Sequence, residues 1–67
     1  MQQQKYAPPA RFIRLPEVSR LTSMSRSALY RAEAAGEFPK RRRVGRRAVA
    51  WSEGEVLAWL ASREEVR

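Results

Sequence analysis

The chain has 67 residues and a net charge of +7, from 14 Lys and Arg against seven acidic residues. It contains no Cys or His, and every acidic residue is Glu, so the ligand sets of zinc and calcium sites are missing, together with the commonest general base and the best nucleophile. This composition leaves no place for a disulfide scaffold, a metal or a cofactor, and it turns the reading from an enzyme towards one small domain with a polyanionic partner.

Twelve of the 14 cations are Arg, whose planar fork matches phosphates and the guanine edge better than Lys does. The charge is also segregated. Residues 1–51 hold 12 cations against three Glu, and residues 52–67 hold two against four. No apolar run approaches the length of a signal core or a membrane span. A cytoplasmic protein without membrane contact is therefore expected.

Residues 1–10, with Pro8–Pro9 and no hydrophobic period, read as a flexible tail. The domain is expected over 11–67, entered through the apolar pair Phe12–Ile13. Pro16 suits a first helical turn, and Leu15, Val18 and Leu21 then share one face to about Thr22. Ser23–Met24 form a tight turn, with Met24 buried between the flanking helices. Ser25 is an N-cap for a second helix over Arg26 to Ala35, closed by Gly36. On that helix Ala28, Leu29, Ala32 and Ala35 make an apolar stripe. Arg26, Ser27, Tyr30 and Ala34 lie opposite, with Arg31 on the flank.

Lys40, Arg41, Arg42, Arg43, Arg46 and Arg47 then fill six of eight positions. With β-compatible Ala48 to Trp51 behind them, they predict a two-stranded hairpin turning tightly at Gly45–Arg46. Ser52 to Glu55 has the form of a capping box, in which Glu55 reaches back. The helix that follows, to about Arg63, presents Val56, Leu57, Trp59 and Leu60 as a structural face. The expected fold is mainly α with a small β-hairpin: a mini winged helix-turn-helix.

In a helix-turn-helix the second helix enters the major groove by its N-terminal part. Arg26 and Arg31 are candidates for bidentate guanine contacts, and Ser27 and Tyr30 for phosphates. The bland alternatives are partial burial of Tyr30 against the hairpin and a second capping role for Ser27. The hairpin has the placement of a wing, and Arg is drawn into narrow minor grooves. Alternation sends Arg41 and Arg43 to one face and Arg42 to the other; Arg41, Arg43 and, at or beside the tip, Arg46 and Arg47 are the expected DNA contacts of the wing. Trp51, Trp59, Phe38 and Tyr6 are conceivable base-stacking platforms, but the spacing of Trp51 and Trp59 makes them core.

The strings S-R-S-x-x-Y-R at Ser25 to Arg31, G-x-F-P at Gly36 to Pro39, and G-R-x-A-V-A-W-x-x-x-E-V-x-x-W-L from Gly45 to Leu60 resemble the AlpA family of phage and prophage regulators. That family falls within the excisionase-like and MerR-like winged-helix group. The resemblance covers about residues 11–63. It implies a small protein that binds double-stranded DNA, either as a transcriptional regulator or as an excisionase that sets the direction of recombination, with an integrase as a further partner. It puts recognition-helix positions on Arg26, Ser27, Tyr30 and Arg31 and the wing on Arg46 and Arg47. Ala28 stands where Thr is common, and Arg41 to Arg43 are more basic than usual. The small core suggests cooperative self-association on DNA. A protein–protein adaptor or inhibitor on the same fold, or an RNA-binding protein, is the alternative.

Overall fold

The computed structural model describes residues 11–66; the tail expected over residues 1–10 lies outside them. Elements run in the order β1 (Phe12–Ile13), α1 (Leu15–Thr22), α2 (Arg26–Ala34), β2 (Arg42–Arg43), β3 (Val49–Ser52) and α3 (Glu53–Ala61). Three helices thus surround a small antiparallel sheet of order β1-β3-β2. This is the mini winged helix-turn-helix, with one more strand than expected. Phe12–Ile13 is not merely an apolar entry. It pairs with Ser52 and Trp51, and the Glu53 N–H donates to the Arg11 carbonyl at 2.8 Å, tying the start of the domain to the start of α3.

The helix boundaries follow from local chemistry. Pro16 occupies the first turn of α1, where its missing N–H costs nothing. Ser23 then ends the helix in the left-handed region at φ 61°, and its N–H donates to the Ser19 carbonyl at 2.7 Å. Ser25 caps α2 by accepting from the Ala28 N–H at 3.1 Å. Gly36 closes that helix at φ +75°, while the Glu37 N–H reaches back to the Ala32 carbonyl at 2.8 Å, a pairing that needs the left-handed residue between.

Each element contributes to one core. Ile13, Val18, Leu29, Phe38, Trp51 and Val56 are buried together, and Leu15, Leu21, Met24, Tyr30, Ala32, Trp59 and Leu60 pack around them. Fully burying a side chain of the size of Val or Leu contributes about 1.5–3 kcal/mol, so this handful of residues carries the fold. Val18 and Leu29 close the corner between α1 and α2. Met24 is half-buried rather than enclosed. Trp51 and Phe38 are core residues; Trp59 is half-buried, set edge-on to Phe38 at 4.9 Å with its indole N–H donated to the Glu37 carbonyl at 2.7 Å.

Four local expectations are corrected. The α2 stripe is turned: Ala35 is exposed and Glu33 is buried, because Glu33 finds a cationic partner across the domain. The hairpin does not turn at a two-residue Gly45–Arg46 corner. Its loop spans Gly45 to Arg47, closed by Val44 N–H to the Ala48 carbonyl at 2.9 Å, and Gly45 needs no positive φ. The capping box is half made. Ser52 accepts from the Glu55 N–H at 3.2 Å, but the Glu55 carboxylate accepts from Arg42 at 2.6 Å instead of turning back. Finally, α3 ends at Ala61 and leaves Leu57 47% exposed.

Candidate nucleic-acid interface

The outer face of α2 and the hairpin beside it form one basic surface. Arg26, Ser27 and Arg31 are exposed on α2. Ser25, not Ser27, supplies the capping hydroxyl, which leaves Ser27 available to an outside partner. Tyr30 takes the more buried of its two expected roles. Its ring stacks towards Trp51 at 6.4 Å and carries two guanidinium groups, Arg41 at 4.6 Å and Arg26 at 5.6 Å.

An open groove of about 570 Å³ separates α2 from the hairpin, and Tyr30, Glu33, Lys40, Arg41 and Arg43 line it. The alternation expected of the wing is visible here. Arg41 and Arg43 both face the groove, whereas Arg42 points to the other side and reaches Glu55 on α3. Arg41 is exposed but engaged with the fold: its guanidinium pairs with the Glu33 carboxylate, which also accepts the Arg41 backbone N–H at 2.6 Å.

Glutamates sort the remaining cations. Arg11, Arg20, Arg41 and Arg42 pair with Glu53, Glu17, Glu33 and Glu55. Among the described residues Arg26, Arg31, Lys40, Arg43, Arg46 and Arg47 make no ion pair, and all six are exposed; Arg14 and Arg63, outside α2 and the hairpin, are exposed and unpaired as well. Arg43 donates to the Arg46 carbonyl at 3.0 Å, which braces the loop and keeps Arg46 and Arg47 at its tip. Unopposed like charges on two adjoining elements give a local positive field suited to a polyanion.

Two residues of this surface escaped the reading of candidate contacts. Lys40 belongs to the basic run, yet only the fold puts it on the groove wall. Glu33 carried no signal of its own, since a glutamate on a short helix reads as solvent-facing.

A helix-turn-helix joined to a basic hairpin defines the chain as a small winged helix-turn-helix domain. Residues 11–64 match the family described as the prophage CP4-57 regulatory protein, AlpA, and the chain belongs to that family. It is 47% identical over 53 residues to an uncharacterized protein, ORF88, of Enterobacteria phage P4; the match covers 79% of this chain and 60% of the phage protein. It is 38% identical over 61 residues to the DNA-binding transcriptional activator AlpA of Escherichia coli (strain K12), covering 79% of this chain and 84% of that protein. No solved structure matches the chain. Among the described residues, no helix is long and apolar enough to cross a membrane.

Proposed function

We propose that this protein is a transcriptional regulator that binds duplex DNA, with α2 in the major groove and the hairpin loop on the adjacent minor groove or backbone. One observation carries the reading: six exposed cations gathered on α2 and around the hairpin, Arg26, Arg31, Lys40, Arg43, Arg46 and Arg47, make no ion pair among the described residues, while Glu53, Glu17, Glu33 and Glu55 pair with Arg11, Arg20, Arg41 and Arg42. The kinship with AlpA, named as a DNA-binding transcriptional activator, supports the same partner.

Arg26 and Arg31 read base edges, where a good bidentate pair is worth about 1–3 kcal/mol of discrimination. Ser27, Lys40, Arg43, Arg46 and Arg47 hold phosphates or enter the minor groove. Tyr30 and Arg41, engaged with Trp51 and Glu33, shape the surface between the helix and the wing. The mechanism is binding and has no chemical step. The same surface serves a recombination directionality factor working with an integrase, and several copies bind side by side on repeated sites.

Fluorescence anisotropy on duplex DNA from beside the protein's own gene, over a series of salt concentrations, tests this reading. A scrambled duplex and a single-stranded RNA run in parallel. The native duplex is expected to bind at least about a hundredfold more tightly than the scramble, on the scale of specific against non-specific binding. Equal, steeply salt-dependent binding to all three would overturn it and turn attention to RNA or to a protein partner. A single-copy footprint without cooperativity would remove the side-by-side arrangement alone.

A further inference from the structure

Glu33 is the one buried charged side chain among the described residues, 6% exposed. It stands on α2, the element that carries Arg26, Ser27 and Arg31. Both groups it accepts from belong to Arg41, the residue that leads into β2: the backbone N–H and the guanidinium. The same guanidinium lies over the Tyr30 ring, one helical turn before Glu33. No backbone hydrogen bond joins α2 to β2 among the described residues. Apart from a long contact of 3.5 Å from the Lys40 ammonium to the Glu33 carbonyl, this side-chain cluster is therefore the direct polar link between the helix and the segment entering the wing strand. On the far side of that strand, Arg42 and Glu55 provide a second tie, but both partners there are substantially exposed, and such pairs hold little.

We infer that Glu33 and Arg41 are positioning residues, a clamp that fixes the wing at a set distance and angle from the recognition helix, and that Arg41 does not contact DNA. The inference rests on the DNA-binding reading above. A carboxylate that takes two donors from one residue constrains both separation and rotation, more than a single contact does. A duplex read by a helix and a loop together needs their spacing set beforehand, since ordering them on binding subtracts from affinity. The clamp supplies that spacing, and Lys40 and Arg43 line the groove beside it, exposed and with no carboxylate partner among the described residues.

The test is the paired variant Glu33→Gln with Arg41→Met, which removes both charges and leaves the net charge unchanged. Arg46→Ala is the comparison for a direct contact. Helix content by circular dichroism should stay native in both. For the paired variant, affinity for the native duplex should fall about tenfold through lost preorganisation, while affinity for the scramble and the salt slope stay as in wild type. Arg46→Ala should instead lower the slope by about 0.9 on both duplexes. Amide exchange at Arg42 and Arg43 should quicken in the paired variant only.

A slope lowered by the paired variant would make Arg41 a phosphate contact and overturn the inference, as would an unchanged ratio between native and scrambled duplex. Glu33→Gln alone keeps the shape and is read by the same criteria if the paired variant loses its fold. Failure of the wild type to bind any duplex would overturn the DNA reading and the inference with it. Wild-type binding with either contrary result would overturn the inference alone.

Discussion

Two sets of arginines stand side by side in the sequence and part company in the fold. Arg41 and Arg42 each meet a glutamate, one on α2 and one on α3. Arg43, Arg46 and Arg47, a few residues on, meet none among the described residues and stay exposed around the hairpin loop. A basic run is therefore not a uniform patch. Where an acid stands opposite, the arginine becomes part of the scaffold; where none does, its field is left for an outside anion.

The sharpest way to break this comparison is Arg41→Ala. It leaves the buried Glu33 carboxylate with the backbone N–H of residue 41 but without its cationic partner, and unfolding by urea is expected to show a loss of about 2 kcal/mol, within the range for removing a hydrogen bond to a charged group. Arg42→Ala breaks a pair exposed on both sides and should cost no more than about 1 kcal/mol. Equal losses would erase the distinction between the two neighbours. Replacing Arg46 and Arg47 together by Ala should leave stability within about 0.5 kcal/mol of wild type. The slope of log affinity against log salt on duplex DNA should fall by about 1.8 if both side chains neutralise phosphates.

Smaller effects separate the closing of α2 from the turn of the hairpin. Gly36→Ala meets open space for its new methyl group but keeps a left-handed φ, and a loss of about 1 kcal/mol in thermal unfolding is expected. Ser25→Ala removes the cap of the same helix, again for about 1 kcal/mol. Gly45 has no positive φ, and an added Cβ would stand 3.5 Å from the Ala48 Cβ, ordinary contact; Gly45→Ala should therefore cost under about 0.5 kcal/mol. A large loss at Gly45 would restore the tight turn that its sequence context suggests.

What could be read beforehand and what could not follow one physical line. The helix-turn-helix was legible because its signals are local: Pro16 in a first turn, Ser25 at a cap, Gly36 at a left-handed end, and Val18 and Leu29 at helical spacing. The basic hairpin was legible as a charge run beside a β-compatible stretch. The two-residue strand β1 was not, since Phe12 and Ile13 are extended only by virtue of Ser52 and Trp51. Glu33 gives no local signal, and the Glu55 capping expectation fails, for the same reason. Their partners, Arg41 and Arg42, lie eight and 13 positions away, beyond any cap or helical-turn rule. The candidate site was accordingly read as a list of cations, and only the distribution of carboxylates in three dimensions divides that list.

The pairing of β1 with β3 also bears on how the chain folds. Phe12 and Ser52 come from opposite ends of the domain, and Trp51, the largest fully buried side chain, lies in that late strand. Closing so long a loop must precede the contacts that reward it. Without β3 the two helices lose Trp51 and the strand that holds Ile13, and keep only Val18, Leu29 and Phe38 of the buried core ahead of β3. A chain cut before Val49 therefore lacks the partner strand of β1 and the Trp51 side chain, and is expected to be digested by proteases faster than the full domain.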